Sequence, residues 1–218
     1  MRHLLLAATA LSLMTASASA TQIISFGQTS GSNTITATDD GTVTNINTNG
    51  TGAAILIDQL FGVVTPPAIA AFMTLNATSI DAATLVGGLA VLQHYSGSFC
   101  ISTGAGCTGT NELSGTFSDA AFGLNGGTQL SVNVANPPDT LVLSSSVIPA
   151  ADLVAPSSFT LSMSNLPALS IDGNTIAAFT SSFSGVANAT TVSEPGSLAL
   201  MGIGLLGMGM ISYRKKNG

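Results

Sequence analysis

Apolar and polar residues alternate at every second position in the middle of the chain, most clearly in residues 128–134 (TQLSVNV) and 157–166 (SSFTLSMSNL). A period of two predicts β-strands with one buried face. Turn-forming sequences separate the candidate strands, at residues 40–41 (DG), 49–50 (NG), 125–127 (NGG), 136–138 (NPP) and 172–173 (DG). Many short strands with regular turns predict a mainly β fold, an antiparallel β-sandwich or jelly roll.

Two alanine-rich segments lack this alternation. Residues 53–64 (AAILIDQLFGVV) and 67–92 (PAIAAFMTLNATSIDAATLVGGLAVL) are compatible with a short helix, and we expect a helical turn at residues 81–85. No long-period repeat is visible, which disfavours a solenoid.

The first twenty residues have the pattern of a secretory signal peptide. Arg2 and the α-amino group provide a short positive region, and residues 4–14 form an apolar run. Ala18 and Ala20 are small residues placed for cleavage before Thr21. A membrane anchor is the alternative, but the apolar run is too short to span a bilayer. The expected mature domain covers residues 21–186 and is followed by a polar linker at residues 187–193.

The last part of the chain predicts a transmembrane helix. Residues 196–213 carry no charge, and eighteen helical residues span roughly 27 Å, enough for a bilayer core. The cations Arg214, Lys215 and Lys216 follow at once. The positive-inside rule places them in the cytoplasm, so the β-rich domain lies outside.

Charge is distributed unequally between the ends and the middle. All four basic residues lie in the end segments, and residues 21–193 contain no Lys or Arg. The same stretch contains nine acids, which are Asp39, Asp40, Asp58, Asp81, Glu112, Asp119, Asp139, Asp152 and Asp172. Without cations to neutralise phosphates, the domain is not expected to bind nucleic acid or to transfer phosphoryl groups.

The only two cysteines, Cys100 and Cys107, lie in the glycine-containing stretch SFCISTGAGCTG. In an exported chain such a pair predicts a disulfide. A redox or metal pair is the alternative, but the spacing is not Cys-x-x-Cys and no histidine cluster accompanies it.

The end of the chain resembles the PEP-CTERM sorting signal. The resemblance rests on Ser193, Glu194 and Pro195, followed by the glycine-rich apolar span and the basic cluster. Ser193 stands where the motif has its first proline. The resemblance implies an exopolysaccharide-forming Gram-negative host and an exosortase, a membrane-embedded enzyme that recognises and cuts such tails. An unprocessed single-pass anchor is the alternative interpretation.

The domain offers little catalytic chemistry. His94 is its only histidine and is expected on a polar strand face or a strand edge; no Gly-x-Ser-x-Gly motif accompanies it. A paired-carboxylate hydrolase is conceivable, but no pair of acids stands out and tryptophan is absent. No metal site and no cofactor are predicted.

Three binding interpretations remain open. Asn45, Asn47, Asn49 and Gly50 copy the spacing at the start of a calcium loop, although the acids of such a loop are missing. An alternating set of threonines, Thr34, Thr36 and Thr38 with a continuation to Thr42 and Thr44, resembles the ladders of ice-binding sheets. Abundant Ser, Thr and Asn could also hydrogen-bond glycans.

Together these features predict a non-enzymatic exported protein of the cell surface or extracellular matrix. It would pass through the inner membrane as an intermediate, be processed by an exosortase, and act structurally or adhesively, with exopolysaccharide as a possible partner. The alternatives are an exported hydrolase of matrix polymer and a calcium-, ice- or glycan-binding module.

Overall fold

A computed structural model describes residues 20–29, 31, 33–61, 63–87, 90–123, 129–133 and 138–190. The strands are β1 (Ala20–Gln28), β2 (Ile35–Asp39), β3 (Thr44–Thr48), β4 (Ala53–Leu60), β5 (Val63–Ser79), β6 (Thr84–Val86), β7 (Ala90–Gly104), β8 (Thr108–Phe122), β9 (Gln129–Asn133), β10 (Thr140–Ser144), β11 (Val154–Ser164), β12 (Ile171–Asp172), β13 (Thr175–Ile176) and β14 (Phe179–Thr190). One 3₁₀ turn occupies Ala150–Asp152. The mainly β class is confirmed.

The segments with clear alternation form strands as predicted. Residues 128–134 contain β9, and residues 157–166 contain most of β11, where Phe159, Leu161 and Met163 are buried. Three of the predicted turns carry glycines in the left-handed region, Gly41 (φ 82°), Gly50 (φ 59°) and Gly173 (φ 61°). This conformation is strained for residues with a Cβ, which explains why glycine follows Asp or Asn there.

The helix expected in the alanine-rich segments is absent from the described residues. These segments form β4, β5, β6 and the start of β7, and the expected helical turn at 81–85 is a bend at Asp81 followed by β6. The prediction was wrong because alanine conceals the alternation. In β5, Ala71 and Ala77 occupy the same buried face as Met73 and Leu75, at every second position.

The expected linker begins too early. β14 continues to Thr190 and pairs with β1 and β11 along this stretch, so residues 187–190 belong to the sheet. Ala187 and Ala189 are fully enclosed and Thr190 is buried, whereas Asn188 is half-buried. The sequence predicts a linker here because the residues of this stretch are small and follow a segment that is also rich in polar residues. Residues 191–193 lie outside the described residues.

Every strand pairing among the described residues is antiparallel. Twelve strands join in one hydrogen-bonded sheet in the order β1-β4-β5-β3-β2-β14-β11-β9-β8-β7-β6, with β10 beside β8 and with further pairings β1–β14 and β5–β7. Two long strands change partners along their length. One edge of β14 pairs first with β2 and then with β1, and one edge of β5 pairs first with β4 and then with β3.

Aromatic rings link strands that are not neighbours in the sheet. Phe99 on β7 stacks on Phe159 of β11 with ring centroids 4.0 Å apart, and Phe122 stacks on Phe179 at 5.5 Å. A Cβ added to Gly185 would lie 2.3 Å from Cζ of Phe26, so this glycine is needed for the Phe26 ring to lie against β14. The core is therefore closely packed between distant strands.

Among the described residues, no helix has the length and apolar character needed to cross a membrane. The predicted span at 196–213 lies outside them.

Candidate functional site

The residues of the two predicted processing signals lie almost entirely outside the described part of the chain. This holds for Ala18, for Ser193, Glu194 and Pro195, and for Arg214, Lys215 and Lys216. Ala20 is the first residue of β1 and pairs with Thr190, the last residue of β14. The described part of the chain therefore begins and ends at paired residues on the adjacent strands β1 and β14.

The predicted disulfide is confirmed. Cys100 on β7 is bonded to Cys107 in the following turn, with the Cα atoms 5.9 Å apart. The turn also contacts the loop before β4, because the Gly106 amide donates a hydrogen bond to the Thr51 carbonyl. The bridge thus holds the tip of the β7–β8 hairpin.

His94 lies on β7, a strand position as predicted, and makes a side-chain contact with Asp81 that the sequence did not reveal. Its Nδ1 lies 2.5 Å from Oδ2 of Asp81, and its backbone amide donates to Oδ1 of the same carboxylate. An acid and the histidine that it orients are two of the three members of a hydrolytic triad. No serine is hydrogen-bonded to the imidazole among the described residues. The pair joins the bend at Asp81 to β7.

Next to this pair lies a buried polar network centred on the side chain of Gln93, which is fully enclosed. Its Oε1 accepts from the Tyr95 hydroxyl at 2.8 Å and from the Ile176 amide at 3.2 Å, and its Nε2 donates to the Asp81 carbonyl at 2.9 Å. The Thr44 hydroxyl lies 3.2 Å from Oε1 and 2.9 Å from the Ile176 carbonyl. One amide thus connects β3, β7, β13 and the bend at Asp81.

Burial raises the pKa of the Tyr95 phenol above its ordinary range, and the nearby charges of Asp81 and Asp39 raise it further. The hydrogen bond with Thr44 acts in the opposite direction. The phenol therefore stays protonated at neutral pH and serves as a hydrogen-bond donor to Gln93. These contacts indicate a structural role for the network.

The calcium-loop interpretation is wrong, because the residues with the loop spacing lie mainly on a strand. Asn45 and Asn47 belong to β3, and Asn45 Oδ1 accepts a hydrogen bond from Thr78. Asn49 follows the strand, and its Oδ1 accepts from Thr36. Among the described residues, no group of three or more His, Cys, Asp or Glu side chains could hold a metal ion.

The predicted threonine ladder is also shorter than expected. Thr36 and Thr38 lie on β2, but Thr34 precedes the strand and its hydroxyl donates to Gln28. Thr44 is fully buried and belongs to the polar network, so the ladder does not continue across the turn.

A longer array of polar side chains crosses the outer face of the sheet. Asn47, Asn76, Ser98 and Thr116 occupy directly opposed positions on β3, β5, β7 and β8. We call these four residues the outer row. Each of the last three is exposed, and none of the four makes a side-chain hydrogen bond among the described residues. The sequence did not predict this row, because it depends on pairing between strands that are distant along the chain.

Glu112 is the one buried acid of the described residues, with 6% exposure. It lies on β8 beside an irregularity in the β7–β8 pairing, and its backbone carbonyl accepts from the Ser145 hydroxyl. Removal from water raises the pKa of its carboxyl group, and no side-chain partner offsets this among the described residues.

Comparison with known proteins identifies a family motif at the end of the chain. No curated protein and no solved structure matches the chain. The family described as the PEP-CTERM protein-sorting motif matches residues 191–216. This range begins directly after β14 and includes Ser193, Glu194, Pro195 and the basic cluster. The chain therefore carries a PEP-CTERM protein-sorting motif, the signal that the sequence predicted at residues 194–218.

Proposed function

We propose that this chain is a structural or adhesive component of an exopolysaccharide matrix, exported and then processed at its C-terminal sorting signal. The observation that carries the proposal is the PEP-CTERM motif at residues 191–216, which implies export and exosortase processing toward the cell surface. The N-terminal signal peptide, the helix at 196–213 and the passage through the inner membrane are parts of this proposal.

The ends of the domain support a short-lived membrane attachment. Ala20 on β1 pairs with Thr190 on β14, so the sorting segment would leave the domain beside the mature N-terminus. Cleavage near Glu194 and Pro195 would then release the domain without removing any strand, because β14 ends at Thr190.

The composition of the domain supports a role outside the cell without catalysis. We propose that its sheet folds over the core as a β-sandwich, a view supported by the stacking of Phe99 on Phe159 between non-adjacent strands. The disulfide supports an oxidising location. The outer face presents hydroxyl and amide groups, which suit contact with hydrated polymers.

A cell-fractionation experiment tests the proposal. In the native host, the parent protein should be recovered from the matrix fraction, and a Glu194→Ala, Pro195→Ala double variant should accumulate in the inner membrane. Thr191→Ala is the matched control and should behave like the parent, because it changes the matched segment but leaves the motif residues intact. Release of the double variant into the matrix at the parental level would contradict the proposal.

One observation favours a second candidate, an exported hydrolase of matrix polymer. The contact between His94 and Asp81 is the acid–histidine arrangement that such an enzyme could use. In that case His94→Ala would abolish polymer depolymerisation by the purified protein. The structural proposal instead expects that neither the parent protein nor the His94→Ala variant depolymerises the polymer.

A further inference from the structure

We infer that the outer row binds a neutral, hydroxyl-rich polysaccharide chain that lies across the strands. This inference deepens the proposed matrix function and rests on it for the source of the ligand. It identifies a surface and a chemical class of partner, which the sorting motif does not provide.

The first argument is geometric. Asn47 is opposed to Asn76, Asn76 to Ser98, and Ser98 to Thr116, so the four side chains follow one line perpendicular to the strands. Neighbouring strands lie about 4.8 Å apart, so the row extends for roughly 14 Å over three strand spacings. This regular interval is comparable to the length of one sugar unit in an extended glycan, which lets successive units meet successive side chains.

The second argument concerns unused hydrogen-bonding capacity. On β5, Thr78 next to Asn76 donates to Asn45 at 2.8 Å. On β8, Ser114 next to Thr116 lies 2.8 Å from the Ser144 hydroxyl. The flanking positions therefore satisfy one another, whereas the outer row between them has no protein partner among the described residues. Its amides and hydroxyls can both donate and accept, as can the hydroxyls of a sugar.

The row also has an apolar end. Thr116 is opposed to Val142 on β10, whose side chain is 69% exposed. A sugar ring presents C–H groups as well as hydroxyls, so an exposed valine in line with the polar side chains adds an apolar contact for the last unit.

Charge restricts the partner to neutral glycans. The outer row and the positions beside it contain no charged residue, and residues 21–193 contain no Lys or Arg. A uronic acid, sulfate or phosphate group would find no cation there and would be repelled by the acidic domain. The surface therefore fits a polymer whose hydrogen-bonding groups are hydroxyls.

A matched surface for comparison lies on another part of the sheet. Ser162 on β11 is opposed to Ser184 on β14, but this line continues to Gly27 on β1. Thr160 is likewise opposed to Val186. Thr160, Ser162 and Ser184 also make no side-chain hydrogen bond among the described residues, yet they do not form a row across four strands.

Affinity electrophoresis of the full chain tests the inference, in a detergent without a sugar headgroup. Native gels would contain dextran, pullulan or galactomannan as neutral polymers, and alginate as a polyanion. At least one neutral polymer should retard the parent protein, and alginate should not. The triple variant Asn76→Ala, Ser98→Ala, Thr116→Ala should weaken the dissociation constant about tenfold or more, as expected for the loss of three hydrogen bonds.

The control variant Thr160→Ala, Ser162→Ala, Ser184→Ala removes three comparable hydroxyls from the other surface. It should leave the dissociation constant within about twofold of the parental value, because substitutions at a distance from a binding surface have small effects on it. Thermal unfolding of both variants should resemble that of the parent, which shows that any loss of binding is local.

Three results would overturn the inference: no retardation of the parent by any of the neutral polymers, equal retardation by alginate, or equal weakening by the two triple variants. None of these results affects sorting, which is measured by cell fractionation. Conversely, a failure of sorting would leave the binding measured in the gel unchanged. The two proposals can therefore fail separately.

Discussion

Replacing Gln93 by leucine tests the buried polar network most severely. The substitution keeps a similar side-chain volume but removes both the carbonyl and the amino group at a fully enclosed position. The Tyr95 hydroxyl, the Ile176 amide and the Asp81 carbonyl each lose a partner. The Thr44 hydroxyl retains its bond to the Ile176 carbonyl at 2.9 Å.

The expected loss of stability follows from these contacts. A buried polar group without a partner costs about 1–3 kcal/mol, so three such groups cost roughly 6 kcal/mol. Burying a leucine side chain offsets about 2 kcal/mol of this. The net decrease in the free energy of unfolding is therefore about 4 kcal/mol, and it lowers Tm by roughly 8–16 °C in a domain of this size.

Two further variants distinguish the loss of the Gln93 hydrogen bonds from the general effect of substituting a side chain. Tyr95→Phe removes one donor and leaves Gln93 bonded to Ile176, so it should lower stability by only about 1 kcal/mol. Gln59→Leu changes a half-buried glutamine whose side chain accepts a hydrogen bond from Gln22, and it should change stability by no more than about 0.5 kcal/mol.

Urea unfolding of the purified protein, followed by far-UV circular dichroism, measures these differences. The chain has no tryptophan, so backbone ellipticity is a more general probe than fluorescence. A Gln93→Leu variant whose unfolding free energy lies within about 1 kcal/mol of the parental value would refute the reasoning, because buried groups left without partners cost more than that in sum.

Three other perturbations probe separate features. Reducing the Cys100–Cys107 bridge, which closes a short loop, should cost about 2.5 kcal/mol and lower Tm by roughly 5–10 °C in calorimetry; an unchanged Tm would contradict the expectation. Burial raises the pKa of the Glu112 carboxyl group, so the contribution of this residue to stability is fully present below the ordinary carboxyl pKa and is lost as pH rises through the folded-state pKa. In unfolding experiments across pH, the Glu112→Gln variant should lack this loss of stability. An equal loss in both proteins would argue against the assignment to Glu112. Gly185→Ala places a methyl group against the Phe26 ring and should cost about 1–3 kcal/mol in urea unfolding, whereas a neutral effect would mean that the ring moves freely.

Local features were the ones that the sequence predicted well. Alternation identified β9 and β11, and the pairs ending in Gly41, Gly50 and Gly173 identified turns, because these signals depend only on adjacent residues. The disulfide was predictable for the same reason, since its two cysteines are close in sequence.

Features that depend on distant partners were not predictable. Alanine at positions 71 and 77 of β5 gave no clear period, and only packing on the inner face shows that these residues belong to a strand. The Gln93 network brings together Thr44 and Ile176 from opposite parts of the chain. Such contacts depend on the strand order, which single-sequence periodicity does not contain.

The candidate binding surface shows the same limit. The alternation around Asn47 and Asn76 indicates which side chains face outward, but only the register between β3 and β5 shows that they are opposed. The sorting signal is different, because it is contiguous and its residues can be recognised without knowledge of the fold.

Intact-mass spectrometry of the protein recovered from the matrix tests the central claim most directly. The account predicts a single polypeptide that begins at Thr21 and ends near Glu194 and Pro195, without the apolar span and without Arg214. A matrix-derived protein whose mass still includes the tail through Tyr213 would contradict the claim that this chain is cut at its sorting signal.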